Sequence, residues 1–181
     1  MKKTITILSM LIGLTTYGQE CNYRTNEVDE FTESTKIFMK KELFVSHTDS
    51  ALKKYYKRKD YITIDSYLGR VDDTRVIYFT ILVRSKNAYD SYGSLRSDSD
   101  IMLKTYSGMV TLKISKTDTG DTDYSMNTTT YSTYCILTEE NIIDLSGSKV
   151  EKMRIYWSKG YDNYPVQNID LISNQLNCIK Y

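Results

Sequence analysis

Apolar residues return at every second position in stretch after stretch of this chain, the period that belongs to strands lying with one face on a core. In residues 60–69, Ile62, Ile64 and Leu68 share one side while Tyr61, Thr63, Asp65 and Tyr67 share the other. That alternation describes a sheet wet on one face. Residues 35–46 repeat it, and residues 149–158 set Met153, Ile155 and Trp157 against Lys152, Arg154 and Tyr156. Residues 75–84 differ, because Ile77, Phe79, Ile81 and Val83 oppose Val76, Tyr78 and Leu82. The expectation is a central strand with both faces covered. Residues 101–106 and 109–115 flank Ser107-Gly108, a short glycine-containing link that predicts a hairpin.

Two stretches carry the helical period instead. Thr138 stands as an N-cap before Glu139 and Glu140, where the helix dipole favours acids; Ile142, Ile143 and Leu145 supply an apolar stripe, and Gly147 ends it. A second helix from about residue 168 spaces Ile169, Ile172, Leu176 and Ile179 for docking on the sheet, just after the only proline, Pro165. Residues 85–99 and 116–130 are polar and rich in Ser, Asp, Thr and Asn, so they read as exposed loops or edges and as candidate binding surfaces. No repeat or shift in composition marks a second domain. The fold expected is α+β and mainly β, an antiparallel sheet or sandwich with a short helix and a C-terminal helix.

At the N-terminus, Lys2 and Lys3 precede a mostly apolar run over residues 5–14 and small residues ending at Gly18. A membrane span needs roughly 20 apolar residues, so residues 1–18 read as a signal peptide and residues 19–181 as a single β-rich domain. Cys21 follows Gln19-Glu20, which does not suit a lipoprotein signal. Cleavage removes two lysines and no acid, so 24 basic residues against 23 acidic ones become 22 against 23. A charge so near zero provides no field for steering toward nucleic acid or an anionic membrane. The location expected is secreted or periplasmic, extending to the cell surface.

About 163 residues remain after cleavage, enough to bury a core without a disulfide framework. In an oxidising compartment the three cysteines allow one bridge in any of three pairings. Cys135 sits in a β-like run, where a buried inert thiol is the ordinary role. That leaves Cys21 with Cys178, both near the termini, as the preferred pair.

Side-chain chemistry is sparse. The only histidine, His47, lies beside Ser46, and neither a nucleophile elbow nor a second zinc ligand accompanies it, so no catalytic residue and no metal site is assigned. The acidic pairs Asp29-Glu30, Asp72-Asp73, Asp98 with Asp100, and Glu139-Glu140 each suit a turn, an edge or a helix start. Asp118, Asp121 and Asp123 have oxygens at a spacing that calcium accepts, but Gly120 between them already explains a polar turn. No cofactor is expected. Residues 53–59 interleave five cations with Tyr55 and Tyr56, a patch suited to an anionic polymer or to solvent. Tyrosine is abundant, seventeen in all, and Tyr61, Tyr67 and Tyr156 on polar strand faces are the candidate ligand-binding residues, a platform for sugar stacking or protein contact.

Several short patches carry a resemblance. The stretch Asn26-Glu27-Val28-Asp29-Glu30-Phe31-Thr32 is similar to the Asp-Glu-Phe-Thr turn of a group of small, uncharacterised secreted bacterial proteins. Further on, Leu137-Thr138-Glu139-Glu140, Leu145, Lys149-Val150, Met153-Arg154-Ile155-Tyr156, Gly160, Leu176 and Cys178 resemble the same group. Tyr106-Ser107-Gly108 resembles its aromatic-x-Gly turn but lacks an aspartate before the glycine. The resemblance implies secretion and this fold, and it brings no catalytic residue or cofactor.

The function expected is a secreted, non-catalytic binding or interaction module that engages a protein or glycan at the cell envelope. The alternatives are a small carboxylate-dependent hydrolase of cell-wall or polysaccharide material, which needs two acids facing one cleft, and an inhibitor or immunity protein. No nucleic-acid partner and no transmembrane span are expected.

Overall fold

Eleven strands and three helices alternate along the described chain, and two antiparallel sheets share them. The computed structural model describes residues 21–56 and 59–180. The signal peptide expected over residues 1–18, and Lys57 and Arg58 of the basic cluster, lie outside that description. The larger sheet is seven-stranded, in the order β1 (Tyr23–Val28), β2 (Thr35–Met39), β4 (Ile62–Val71), β5 (Thr74–Val83), β9 (Thr128–Ile136) and β8 (Asp121–Asp123). Its remaining strand, β3 (Glu42–His47), pairs with the first half of β4 while β2 pairs with the second half. The smaller sheet runs β11 (Gly160–Pro165), β10 (Val150–Trp157), β6 (Asp100–Thr105), β7 (Met109–Lys113).

The inner faces of both sheets meet in one core that includes Ile64, Ile77, Phe79 and Tyr131 from the larger sheet and Ile101, Leu103, Met153 and Ile155 from the smaller. Backbone contacts also stitch the sheets at their edges. A bridge joins Val45 to Val166, with Gln167 N donating to Phe44 O (2.9 Å), and Ser115 N donates to Tyr134 O (2.9 Å) beyond the end of β7. This is a mainly β, α+β sandwich. No helix among the described residues is long and apolar enough to cross a membrane.

Local chemistry explains the helices. At α2 (Glu139–Ser146), Thr138 Oγ1 accepts from Asn141 N (3.2 Å) and Asn141 Oδ1 accepts from Thr138 N (3.3 Å), a reciprocal capping box. Its predicted stripe is only partly used, since Leu145 is buried while Ile143 faces solvent. Helix α3 (Leu171–Cys178) buries Leu171, Ile172, Gln175 and Leu176. A disulfide ties Cys178 to Cys21, and Tyr23 Oη donates to Cys178 O (3.0 Å), so the C-terminal helix secures the N-terminal strand. Cys135 is buried with a free thiol.

Two expectations change. The polar segment over residues 85–99 contains a short helix, α1 (Ala88–Tyr92), anchored by buried Ala88. And the second face of β5 is not fully covered: Tyr78, Thr80 and Leu82 stay half-buried, shielded in part by neighbours within their own sheet. The segment over residues 116–130 does form an edge, contributing the terminal strand β8 of the larger sheet and its hairpin into β9.

Candidate functional site

Strand register assembles the most distinctive surface of the molecule. Tyr67 of β4 pairs directly with Tyr78 of β5, and Tyr78 pairs directly with Tyr134 of β9. The flanking residues Leu68, Ile77, Phe79, Thr133 and Cys135 are buried, so alternation sends all three tyrosines to the outer face. The Tyr67 and Tyr78 rings stack at 4.7 Å with 7° between their planes, and the Tyr78 and Tyr134 rings stand 5.8 Å apart. Adjacent strands are themselves about 4.8 Å apart. Nearly parallel rings at that same spacing must stand upright on the sheet, stacked along the hydrogen-bonding direction.

Phe38 and Arg24 complete the row. Gly69 pairs with both Phe38 and Val76, and a Cβ placed on it would lie 2.5 Å from Phe38 Cδ1. The missing side chain lets the Phe38 ring lean across to within 6.2 Å of Tyr78. From β1, the Arg24 guanidinium sits 5.0 Å from the Tyr67 ring centre and 5.4 Å from that of Phe38, within cation–π range. Arg24 itself is exposed, and among the described residues no carboxylate lies within ion-pair distance of it. Desolvation, then the neighbouring Tyr67 and Tyr134, push the Tyr78 phenol above its ordinary pKa, while Arg24 pulls it back. The next row along, Asp65, Thr80 and Ser132, adds polar groups, with Lys41 Nζ 3.5 Å from Asp65.

Upright rings have chemical consequences. One face of Tyr67 is occupied by Tyr78 and the guanidinium lies over the same ring, so the stacked pair offers ring edges, phenol hydroxyls and a cation rather than open aromatic faces, while the Tyr134 ring is tilted 39° from Tyr78. Such a surface suits hydrogen bonding and edge contacts to a partner.

The three tyrosines selected from the sequence occupy three different surfaces. Tyr67 belongs to the row. Tyr61, just before β4, meets Tyr56 edge-on at 5.4 Å, and burial raises its pKa against the opposing effect of a hydrogen bond with Tyr92. Tyr156 lies on the smaller sheet, 5.6 Å from Tyr161. Sequence reading missed Arg24, Phe38, Tyr78 and Tyr134 as site residues. The usable signal for Tyr78 was an aromatic on the second face of an otherwise apolar strand; the others depend on which strands pair.

Other candidate groups serve the fold. Asp118 accepts from Gly120 N (2.7 Å) and Ser132 N (2.6 Å), and Asp123 accepts from Ser125 N (2.9 Å) and Met126 N (3.0 Å). Among the described residues no group of three or more His, Cys, Asp and Glu side chains is arranged to hold a metal. Asp29 closes the Asp-Glu-Phe-Thr turn by accepting from Phe31 N (3.0 Å) and Thr32 N (2.9 Å). Within the basic cluster, Tyr56 Oη donates to Arg84 O (3.0 Å). Ser46 donates to Asp60, and His47 Nε2 lies 3.1 Å from Asp49 Oδ1. Near that histidine, burial first and Asp49 second raise the Asp162 carboxyl above its ordinary pKa, with His47 opposing.

The structure thus defines a mainly β domain bearing a half-buried tyrosine row beside an exposed arginine. Comparison of the chain with protein-family models, curated proteins and solved structures found no match.

Proposed function

We propose that this chain is a secreted, non-catalytic binding module of the cell envelope that takes a protein partner on the row formed by Arg24, Phe38, Tyr67, Tyr78 and Tyr134. One observation carries the reading: three tyrosines in direct cross-strand register, two of them stacked upright, share a part-exposed sheet face with an arginine that, among the described residues, has no carboxylate within ion-pair distance. Tyrosine and arginine are the residue types that dominate interface energetics. A glycan is the weaker fit, because sugar rings stack on open aromatic faces and the Tyr67–Tyr78 pair at the centre of the row offers edges. Secretion is supported by the leader over residues 1–18 and by the Cys21–Cys178 bond, a linkage that persists in oxidising compartments. The resemblance to small secreted bacterial proteins points the same way.

The test immobilises the purified chain and exposes it to envelope proteins and to a polysaccharide panel, beside Arg24→Glu and the Tyr67→Ala, Tyr78→Ala double variant. The expected result is a protein retained by the wild type and lost from both variants, each of which keeps the wild-type circular dichroism. Retention that is indifferent to the variants removes the row as the site. Retention of a polysaccharide alone replaces the protein partner with a glycan.

One observation favours carboxylate-dependent hydrolysis as a second reading. Asp162, with its raised pKa, and Asp49 lie close enough to interact electrostatically, beside His47. Polysaccharide cleavage that Asp162→Asn abolishes would establish that reading; cleavage that survives the substitution, or its absence, would end it.

A further inference from the structure

The outer face of the smaller sheet holds an unbalanced cluster of cations. Lys104 of β6 and Lys152 of β10 are directly paired across the strands, a like-charge arrangement that costs stability, and Arg154 follows two residues along β10. Two acids nearby are already engaged: Glu151 lies 3.0 Å from Lys104 and Asp100 lies 2.5 Å from Lys113. Among the described residues no carboxylate comes within ion-pair distance of Lys152 or Arg154.

Arg154 is held in place. Its Nε donates to Asn163 Oδ1 (2.7 Å) and its guanidinium lies 4.4 Å from the Tyr161 ring centre. Arg154, Asn163, Lys104 and Lys152 line a depression of about 320 Å³ together with Met102 and Met109. Register puts Met102 opposite Arg154, and Met109 opposite Lys104. Met109 is 54% exposed, so a flexible, polarisable apolar surface lies open beside the cations.

We propose that this depression binds an amphiphile whose anionic head, a phosphate or carboxylate, is held by Lys152 and Arg154 while its apolar portion lies on Met102 and Met109. Charge complementarity selects the head, and the methionines select against a bare inorganic anion. The site lies on the other sheet from the tyrosine row and does not depend on it. The amphiphile can be a free molecule or a lipid within a bilayer.

Methionine-methyl NMR of the purified chain tests the site with dodecyl phosphate below its micelle concentration, inorganic phosphate and dodecyltrimethylammonium. Dodecyl phosphate is expected to shift the Met102 and Met109 methyls saturably. Inorganic phosphate should bind at least about tenfold more weakly, and the cationic amphiphile should leave both signals in place. Lys152→Glu should lower dodecyl phosphate affinity about tenfold or more, as expected for loss of a charge-assisted contact. The same substitution should raise the melting temperature, because it turns the Lys104–Lys152 repulsion into an attraction. Stability and binding moving in opposite directions would separate a ligand role from a structural one. Equal affinity in wild type and Lys152→Glu, equal shifts from the two amphiphiles, or no saturable shift would each overturn the proposal. Sedimentation with phosphatidylglycerol vesicles and not with phosphatidylcholine vesicles, lost in Lys152→Glu, would identify the source as a bilayer; dodecyl phosphate binding without sedimentation would identify a free amphiphile.

Discussion

Gln175 completes the hydrogen bonding of Leu68. The sheet partner of β4 changes between Gly69, which faces β2, and Ser66, which faces β3, so the backbone at Leu68 lies at a break in the ladder. From α3, Gln175 Oε1 accepts from Leu68 N (2.8 Å), and its Nε2 donates to Lys40 O (3.1 Å) at the corner between β2 and β3. One buried amide therefore takes the place of two backbone groups, in a site where unpaired polar groups are costly.

Replacing that amide should be felt across the whole domain. Gln175→Leu leaves the Leu68 N–H and the Lys40 carbonyl without their partner and is expected to destabilise by about 2–4 kcal/mol in urea denaturation. A loss below about 0.5 kcal/mol would mean that water or a shift of α3 replaces the side chain without cost.

The tyrosine row has an equally specific point of failure at Gly69. In Gly69→Ala the new Cβ collides with the Phe38 ring, which must swing away from Tyr78. The expected cost is about 1–3 kcal/mol, with loss of partner retention comparable to that of the tyrosine variants. Wild-type stability together with wild-type retention would show that Phe38 has no place in the site.

Cysteine chemistry should divide cleanly between two populations. The Cys21→Ser, Cys178→Ser double variant opens a loop spanning 157 positions and should lose about 2–5 kcal/mol. Cys135 should stay silent toward a thiol reagent at neutral pH until denaturant is added, since burial pushes its pKa up to about 12. Labelling of the native protein, or a linked peptide containing Cys135 in a nonreducing digest, would contradict the assignment.

Asp60 provides a pH signature. Hydrogen bonds from Ser46 and Thr48 hold its pKa below the ordinary carboxylate value, against the opposing effect of desolvation. A folded-state pKa below the unfolded one stabilises the fold at pH values above the unfolded pKa of about 3.9, and that contribution disappears as pH falls through the lower folded value. Asp60→Asn should therefore destabilise at pH 7, and its difference from wild type should shrink below about pH 4 in thermal melts. A difference that is constant with pH would trace the effect to shape and not to charge.

Much of the fold was legible because its signals are local. The alternation of Ile62, Ile64 and Leu68 reads directly as β4, Thr138 marks the start of α2, and the position of Cys135 within a strand leaves Cys21 and Cys178 to pair. The functional surface was less legible because it is built by register. Tyr67, Tyr78 and Tyr134 are neighbours only because β4, β5 and β9 lie side by side in one alignment, and a slip of one residue would turn the tyrosines inward. Tyr61 and Tyr156 follow the same local pattern as Tyr67 and end on unrelated surfaces. The half-exposed face of β5 misled for a related reason: its apolar residues predict a covering layer, whereas Tyr78 is shielded by rings from within its own sheet. Nothing in the sequence around Gln175 announces that its amide serves a strand more than 100 positions away.

The bond between Cys21 and Cys178 also has a mechanical meaning. A pull applied at the two ends of the described domain would run through the disulfide and bypass the sheets, leaving the ladders between Tyr67, Tyr78 and Tyr134 unloaded. A partner seated on that row would therefore remain held under tension, and reduction of the one bond would place the load on the strands themselves.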